Sequence, residues 1–461
     1  MINIFSKTFL VFWGLFYLNT SILAQENQGL IFDNYNPVNG QFINPSIIVD
    51  AKPWLDINLV GASVFVFNNY LFYPNTTLLS FGSFTSEPSL KEDVSTIKAY
   101  ESAFVTGPSA SLVIGRQSFS VYSNVRTISN GINIPSVLAK KSTQEGLDSS
   151  DIGIYNIKNA RAKVMAWGEI GITYGGIIRT RETNMITAAV SVKRLFGLQN
   201  SSVNFKEAEL IVVNPDSVVV VSNTGTYSYT EPSFNAGRGW GINAGATFKK
   251  MKGNVTHYIP HSTFSDCRII DYKYKIGISL LDIGYINFKN EAFYGDLEDI
   301  TLIDTIDAND DILEEAKRLA SGNRYTAPLP MAASVQVDYN INDNFFLNGT
   351  IIQRLPSKNS YGAERANLLA ITPRYESKYI GVSIPVSYVN YEEAYVGLAF
   401  RLAFLSIGTE NILPWFVKQD INMVSFYFYL KITLFKSPPC RDKKYKDKSE
   451  EYILNACPEW N

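Results

Sequence analysis

Residues 426–435 read Phe-Tyr-Phe-Tyr-Leu-Lys-Ile-Thr-Leu-Phe. Phe426, Phe428, Leu430, Ile432 and Leu434 share one side, and Tyr427, Tyr429, Lys431 and Thr433 the other. Side chains alternate faces along a strand, so one face of this stretch is apolar throughout and the other carries a charge. The pattern recurs upstream. Ile380, Val382, Ile384, Val386 and Tyr388 alternate with Gly381, Ser383, Pro385 and Ser387. Val335, Val337 and Tyr339 alternate with Ser334, Gln336 and Asp338, and Val396, Leu398, Phe400 and Leu402 with Gly397, Ala399 and Arg401.

Both a soluble sandwich and a membrane barrel alternate in this way. Two features favour the barrel. The polar faces carry charges in many strands: Arg126, Glu169, Arg179, Lys193, Lys249, Lys273, Lys275, Asp338, Arg401 and Lys431 are the candidate lumen-lining set. The connections also alternate in length. Short turns fall near 115–117, 182–184, 340–343, 376–378 and 402–404, and long ones near 68–100, 129–163, 196–238, 289–328, 356–366 and 411–422. Outer-membrane barrels keep short turns in the periplasm and long loops outside. The spacing predicts an all-β fold, a transmembrane antiparallel β-barrel of about fourteen strands, with both termini in the periplasm. The hairpin over 209–222, turning at Asn214-Pro215-Asp216-Ser217, is read as external; inside the wall it would raise the count to about sixteen. Helices are expected in the loops over 310–322 and 135–145. The connection 250–268 is long where a short periplasmic turn is expected.

Composition agrees with this class. The 461 residues are 46% hydrophobic and 18% charged, with 27 Tyr and 28 Phe and a formal net charge of −2. That excludes a disordered chain and leaves no basic excess for nucleic acid. Residues 1–24, with Lys7, the apolar run 9–18 and Ser21-Ile22-Leu23-Ala24, read as a secretory signal peptide. No other stretch approaches the roughly 18 apolar residues of a membrane-spanning helix. The remainder divides into an N-terminal luminal or periplasmic segment (25–53), the barrel (54–435) and a periplasmic tail (436–461).

Little catalytic chemistry is visible. The two histidines, His257 and His261, sit four apart beside Asp266 and Cys267, but Pro260 between them opposes the helix that would bring them to one face. No Gly-x-Ser-x-Gly motif and no phosphate-binding glycine loop occur, so no enzyme activity, metal or cofactor is expected. The three cysteines allow three pairings; Cys440 and Cys457, 17 positions apart in an exported tail, are the candidate disulfide, which would leave Cys267 a lone thiol.

A resemblance adds to this reading. Asn44-Pro45-Ser46, the run from Lys52-Pro53-Trp54 to Gly61-Ala62, Gly107-Pro108-Ser109-Ala110, Gly237-Arg238-Gly239-Trp240-Gly241-Ile242-Asn243-Ala244-Gly245 and Gly408-Thr409-Glu410-Asn411 resemble an uncharacterised Bacteroidota-type outer-membrane barrel family, distantly similar to the FadL long-chain fatty-acid transporters. The chain departs from that pattern at Asn243, where Asp is usual. The resemblance implies a FadL-like barrel in the Gram-negative outer membrane with an N-terminal segment in its lumen; no ligand-pocket residue carries over. Two functions are expected to compete. One is passive uptake or capture of a small molecule, hydrophobic ones included. The other is a non-transporting barrel that binds or helps assemble secretion or envelope proteins, with the tail as a docking point for a periplasmic partner. A wall kink beside an apolar pocket would favour the first, and a sealed lumen with an exposed apolar patch the second.

Overall fold

A computed structural model describes residues 27–79, 88–91, 93–141, 146–215, 217–297, 302–304, 316–355 and 361–441. The expected signal peptide, the tail beyond 441 with Cys457, and the first half of the expected helix 310–322 lie outside the described residues; residues 316–318 are helical.

Fourteen antiparallel strands close into a barrel. They are β1 (Leu55–Asn68), β2 (Thr96–Thr106 continued by Ser109–Ile114), β3 (Gln117–Pro135), β4 (Gly153–Arg181), β5 (Asn184–Asn214), β6 (Gly237–Met251) and β7 (Tyr272–Phe288). β8 (Tyr325–Pro328, then Ala332–Asn342), β9 (Phe345–Arg354), β10 (Leu368–Glu376), β11 (Ile380–Ser383, then Val386–Val389), β12 (Glu393–Val396, then Leu398–Leu402), β13 (Leu405–Thr409) and β14 (Met423–Leu434) complete it. Each pairs with its chain neighbours, and β14 returns to β1 with Leu434 opposite Leu55 and Met423 opposite Phe67. Closure leaves no edge strand, the condition for backbone amides to cross lipid. Among the described residues no helix is long and apolar enough to cross a membrane.

The period-two pattern decides which side meets lipid. Ile172 (61% exposed), Val121, Val190, Ile278, Val337, Ile351 and Ile371 stand outward, while Ser120, Thr173, Ser191, Ser279, Gln336, Thr350 and Thr372 are buried inside. Apolar side chains left this exposed in a continuous ring have lipid as their natural solvent. Aromatic residues mark both rims: Trp240, Tyr285 and Tyr391 toward the long loops, and Tyr339, Phe345, Tyr379 and Phe404 toward the short turns.

β4 and β5 run 29 and 31 residues, about three times what a crossing needs. Their upper halves leave the membrane wall. There β5 turns at Asn214 and Ser217 into Ser217–Thr230, which is joined by Ala292–Asp296 and Leu302–Asp304. The 209–222 hairpin therefore belongs to an external sheet over a small core of Val203, Leu210, Val212, Tyr227 and Phe293, and the wall count is fourteen rather than sixteen. Ser136–Lys141 is helical, inside the expected 135–145.

Three strands of the wall are interrupted. β2 breaks at Gly107-Pro108, β11 at Ile384-Pro385 and β12 at Gly397. Proline has no N–H for the ladder; Gly397 N donates to Pro385 O at 2.7 Å across the last two breaks.

The long connection 252–271 folds beneath the barrel. Its Val255 and Tyr258 pack with Met251, Tyr272, Phe346 and, from the N-terminal segment, Ile48 and Val49. Cys267 is bonded to Cys440, with Cα atoms 5.7 Å apart, and Ser437 Oγ donates to His261 O at 2.7 Å. This corrects the expected Cys440–Cys457 pairing. Spacing along the chain pointed to the two tail cysteines, but the end of β14 and the 252–271 turn share the same rim, which sets Cys267 against Cys440.

Candidate functional site: the filled lumen and its vestibule

Residues 27–53 form a compact insert. Two single-turn helices, α1 (Gln28–Ile31) and α2 (Pro37–Gly40), precede a 3-10 turn over Pro45–Ile48. Leu30, Ile31, Val38, Ile43 and Ile48 are buried, as are Asn27, Asp33, Asn36, Gln41 and Asn44. The insert is too short for a large core of its own, and several of its buried polar groups bond to the wall. Asn44 Nδ2 donates to Gln336 Oε1 at 2.9 Å, and Thr173 Oγ1 donates to Gln41 Oε1 at 2.8 Å. Asn27 bonds Tyr429 and accepts from Ser63 Oγ. Asn44 fits only because two wall glycines face it. A Cβ on Gly245 would stand 2.1 Å from its Oδ1, and one on Gly277 2.7 Å from its Nδ2. The glycine run 237–245 thus includes a place of close backbone approach.

Charged wall residues clasp this insert. Arg401 Nε donates to Asp33 at 2.6 Å. Lys431 pairs with Asp56 at 2.9 Å and donates to Asn36 at 2.7 Å. Lys249 pairs with Asp50 at 3.2 Å and donates to Val49 O at 3.1 Å. Lys275 donates to Asn34 at 2.9 Å and pairs with Asp338 at 3.1 Å. Arg374 holds Asp338 with both terminal nitrogens, at 3.0 and 2.7 Å, and also bonds Glu376.

Higher in the lumen a second network centres on Asp282. Arg126 grips it bidentately at 3.0 and 3.1 Å, and Lys193 and Arg365 each reach it at 2.5 Å. Glu169 sits beside it, 3.2 Å from Lys193, and accepts from Asn124 and Trp167. Of the ten charges named from sequence, Glu169, Lys193, Lys249, Asp338, Arg401 and Lys431 are buried inside, and the side chains of Arg126 and Lys275 are 13% and 14% exposed.

Arg179 and Lys273 are corrections: both are exposed. Each follows or occupies a bulge. The pairing of β4 with β5 slips between Ile177 and Arg179, and that of β6 with β7 passes from Tyr274 to Tyr272. One extra residue reverses the facing of everything beyond it. Asp282 and Arg374 were missed. Asp282 has φ +55° at another slip in β7, between residues paired with Ile242 and Ala244. A lone Asp flanked by apolar residues in Leu280-Leu281-Asp282-Ile283 was the available signal, since Asp tolerates the left-handed conformation better than its neighbours.

Above these networks the lumen opens outward. A cavity of about 750 Å³ lies between the upper parts of β4 and β5, the turn at Pro328–Met331 and the loop 361–367. Below it, small spaces of about 60 and 50 Å³ lie around the insert. In the vestibule Glu364 is approached by Arg161 at 3.2 Å, Lys163 at 3.2 Å and Arg354 at 3.0 Å. His257, His261, Asp266 and Cys267 form no metal-binding group: His261 Nε2 donates to Ala51 O at 2.9 Å, and Cys267 is in the disulfide.

A closed cylinder with an apolar outer belt, aromatic rims and a polar, filled lumen is a transmembrane β-barrel of the outer-membrane kind. The chain belongs to a family of unknown function, DUF5723, whose model matches residues 45–410. No curated protein matches it in sequence. In fold it is similar to the deltaS2S3 mutant of the monoaromatic hydrocarbon channel TodX (10% identity, TM-score 0.46, covering 90% of this chain and 96% of that one). It is also similar to the toluene transporter TbuX of Ralstonia pickettii (9%, TM-score 0.40, covering 86% and 94%). A FadL homologue of Pseudomonas aeruginosa matches too (9%, TM-score 0.34, covering 91% and 99%). At these identities the likeness concerns fold alone.

Proposed function

We propose that this barrel captures a small molecule in its outer vestibule and lets it pass passively into the periplasm when the N-terminal insert shifts. The observation that carries the reading is the contrast in depth: about 750 Å³ of open cavity above, and about 60 Å³ below, where the insert fills the lumen. A molecule can enter the vestibule without any rearrangement. Further passage requires the insert to yield, or exit through the wall near the Gly107-Pro108 break, where the lower cavity touches Tyr100–Phe104 of β2.

The test is solute entry into liposomes holding the purified full-length protein. Entry faster than in protein-free liposomes is expected. Linking insert to wall through Gln41→Cys and Thr173→Cys, side chains that already touch, should stop it. Equal entry with and without protein would end the reading. The rival role, a barrel that binds envelope or secretion proteins, is favoured by the filled lumen and by Phe234 and Phe416, which stand 92% and 71% exposed on the outer loops. It predicts no solute entry and loss of a co-purifying partner on Phe416→Ser.

A further inference from the structure

We propose that the vestibule selects a soluble, hydrophilic oxyanion, a molecule carrying phosphate or clustered carboxylates. This deepens the uptake reading and rests on it for the vestibule being a capture site. Among the described residues, Arg161, Lys163, Lys206 and Arg354 line the cavity, against the carboxylates Glu364 and Asp296. Three of those cations converge on the single carboxylate of Glu364, at 3.0 to 3.2 Å. One carboxylate cannot neutralise three cations, and partial burial at the barrel mouth strengthens what is left over. Arg161 Nε is buried without a hydrogen-bond partner among the described residues. Guanidinium forks suit planar or tetrahedral oxyanions, which they hold through paired N–H donors. The floor does not cancel this field, because Asp282 is already shared by Arg126, Lys193 and Arg365. Glu101 lines the small cavity beside the insert and not the vestibule.

In this arrangement Glu364 occupies the position an incoming oxyanion would take. It holds the cations together when the site is empty and competes with the ligand. A purely structural cluster makes the opposite prediction for its removal, and that separates the two.

The experiment is calorimetric titration of the purified, detergent-solubilised protein with pyrophosphate and with citrate at low salt, with sucrose as the uncharged control. Saturable binding of at least one anion and none of sucrose is expected. Arg161→Gln with Lys206→Gln should weaken it at least tenfold, and Glu364→Gln should tighten it severalfold. Heat-modifiable migration on gels checks that each variant is folded; if Glu364→Gln is not, Glu364→Asp replaces it, with a shorter reach and again tighter binding expected. Absence of saturable binding, or weaker binding in the Glu364 variant, would overturn the proposal. Phosphatidylglycerol added to the micelles tests a lipid phosphate as the source of the same chemistry: displacement of pyrophosphate would also overturn it. The titration is independent of transport, so anion binding without liposome entry would sink the uptake reading alone, and entry without anion binding would sink this one alone.

Discussion

The two halves of the lumen differ in how their charges are balanced. In the lower half the cations that clasp the insert are matched in number by carboxylates: Arg401 with Asp33, Lys431 with Asp56, Lys249 with Asp50, and Arg374 and Lys275 with Asp338 and Glu376. In the vestibule three cations share Glu364 beside open water. Buried charges are tolerated only when paired, so the lower networks are conditions of folding. The upper cluster borders solvent and can remain unbalanced. Charge that is not needed to hold the structure together is available to hold something else.

Removing one partner from each half tests the contrast most severely. Arg374→Ala leaves Asp338 and Glu376 buried without their main cation and should cost roughly 3–5 kcal/mol, whereas Arg354→Ala at the mouth should cost less than about 1 kcal/mol. Urea unfolding of the two variants in lipid vesicles, followed by tryptophan fluorescence, measures both. Similar losses would erase the distinction between the halves.

The disulfide comes next. Cys440→Ser releases the end of β14 from the 252–271 turn under the lower half, and a loss of about 2–4 kcal/mol is expected in the same assay, with the wall still inserted. A variant that no longer inserts would show that the lower closure is part of barrel assembly. Gly245→Ala sharpens the contrast further. Its new methyl meets Asn44 of the insert, and overpacking of this kind costs about 1–3 kcal/mol. Solute entry should rise while pyrophosphate binding in the vestibule stays unchanged.

The smallest effect is a pH dependence confined to the lower closure. Burial pushes the His261 imidazole below its ordinary value, against the pull of its bond to Ala51 O and of Asp50. The unfolded chain therefore binds its proton more readily, and the neutral ring's contribution is lost as pH falls through the unfolded value near 6.5. Burial raises the Asp50 carboxyl, which acts in the opposite sense on acidification. Comparison with His261→Gln isolates the histidine. Between pH 7.5 and 5 the wild type should lose stability relative to the variant, by at most about 1.4 kcal/mol per pH unit. Parallel profiles would mean that His261 does not titrate differently on folding.

Much of the wall was legible because its code is local. In 426–435 every second side chain is apolar, and in the structure Phe426 and Ile432 face outward while Tyr427, Tyr429 and Lys431 are buried. That inference failed wherever the period itself slipped. Arg179 and Lys273 were assigned inward by counting in twos, and a bulge before or at each returned them to the outer surface. Asp282 was overlooked for the same reason, since a slip in β7 turns it to the centre of the upper network. No local pattern announces a bulge whose purpose is met by residues on other strands.

The sequence alone was enough to determine a closed, lipid-facing cylinder of about fourteen strands. Lipid is a uniform solvent that asks the same thing of every strand, so the answer is written in each one separately. Only the tertiary structure decided what fills the lumen, which cysteine Cys440 meets, and where positive charge is left over. Those outcomes join Asp33 to Arg401, Asn44 to Gln336 and Cys267 to Cys440, across separations of 368, 292 and 173 residues. Interior polar groups are satisfied by whichever partners closure of the barrel brings within reach, and that depends on register and on bulges around the whole circumference.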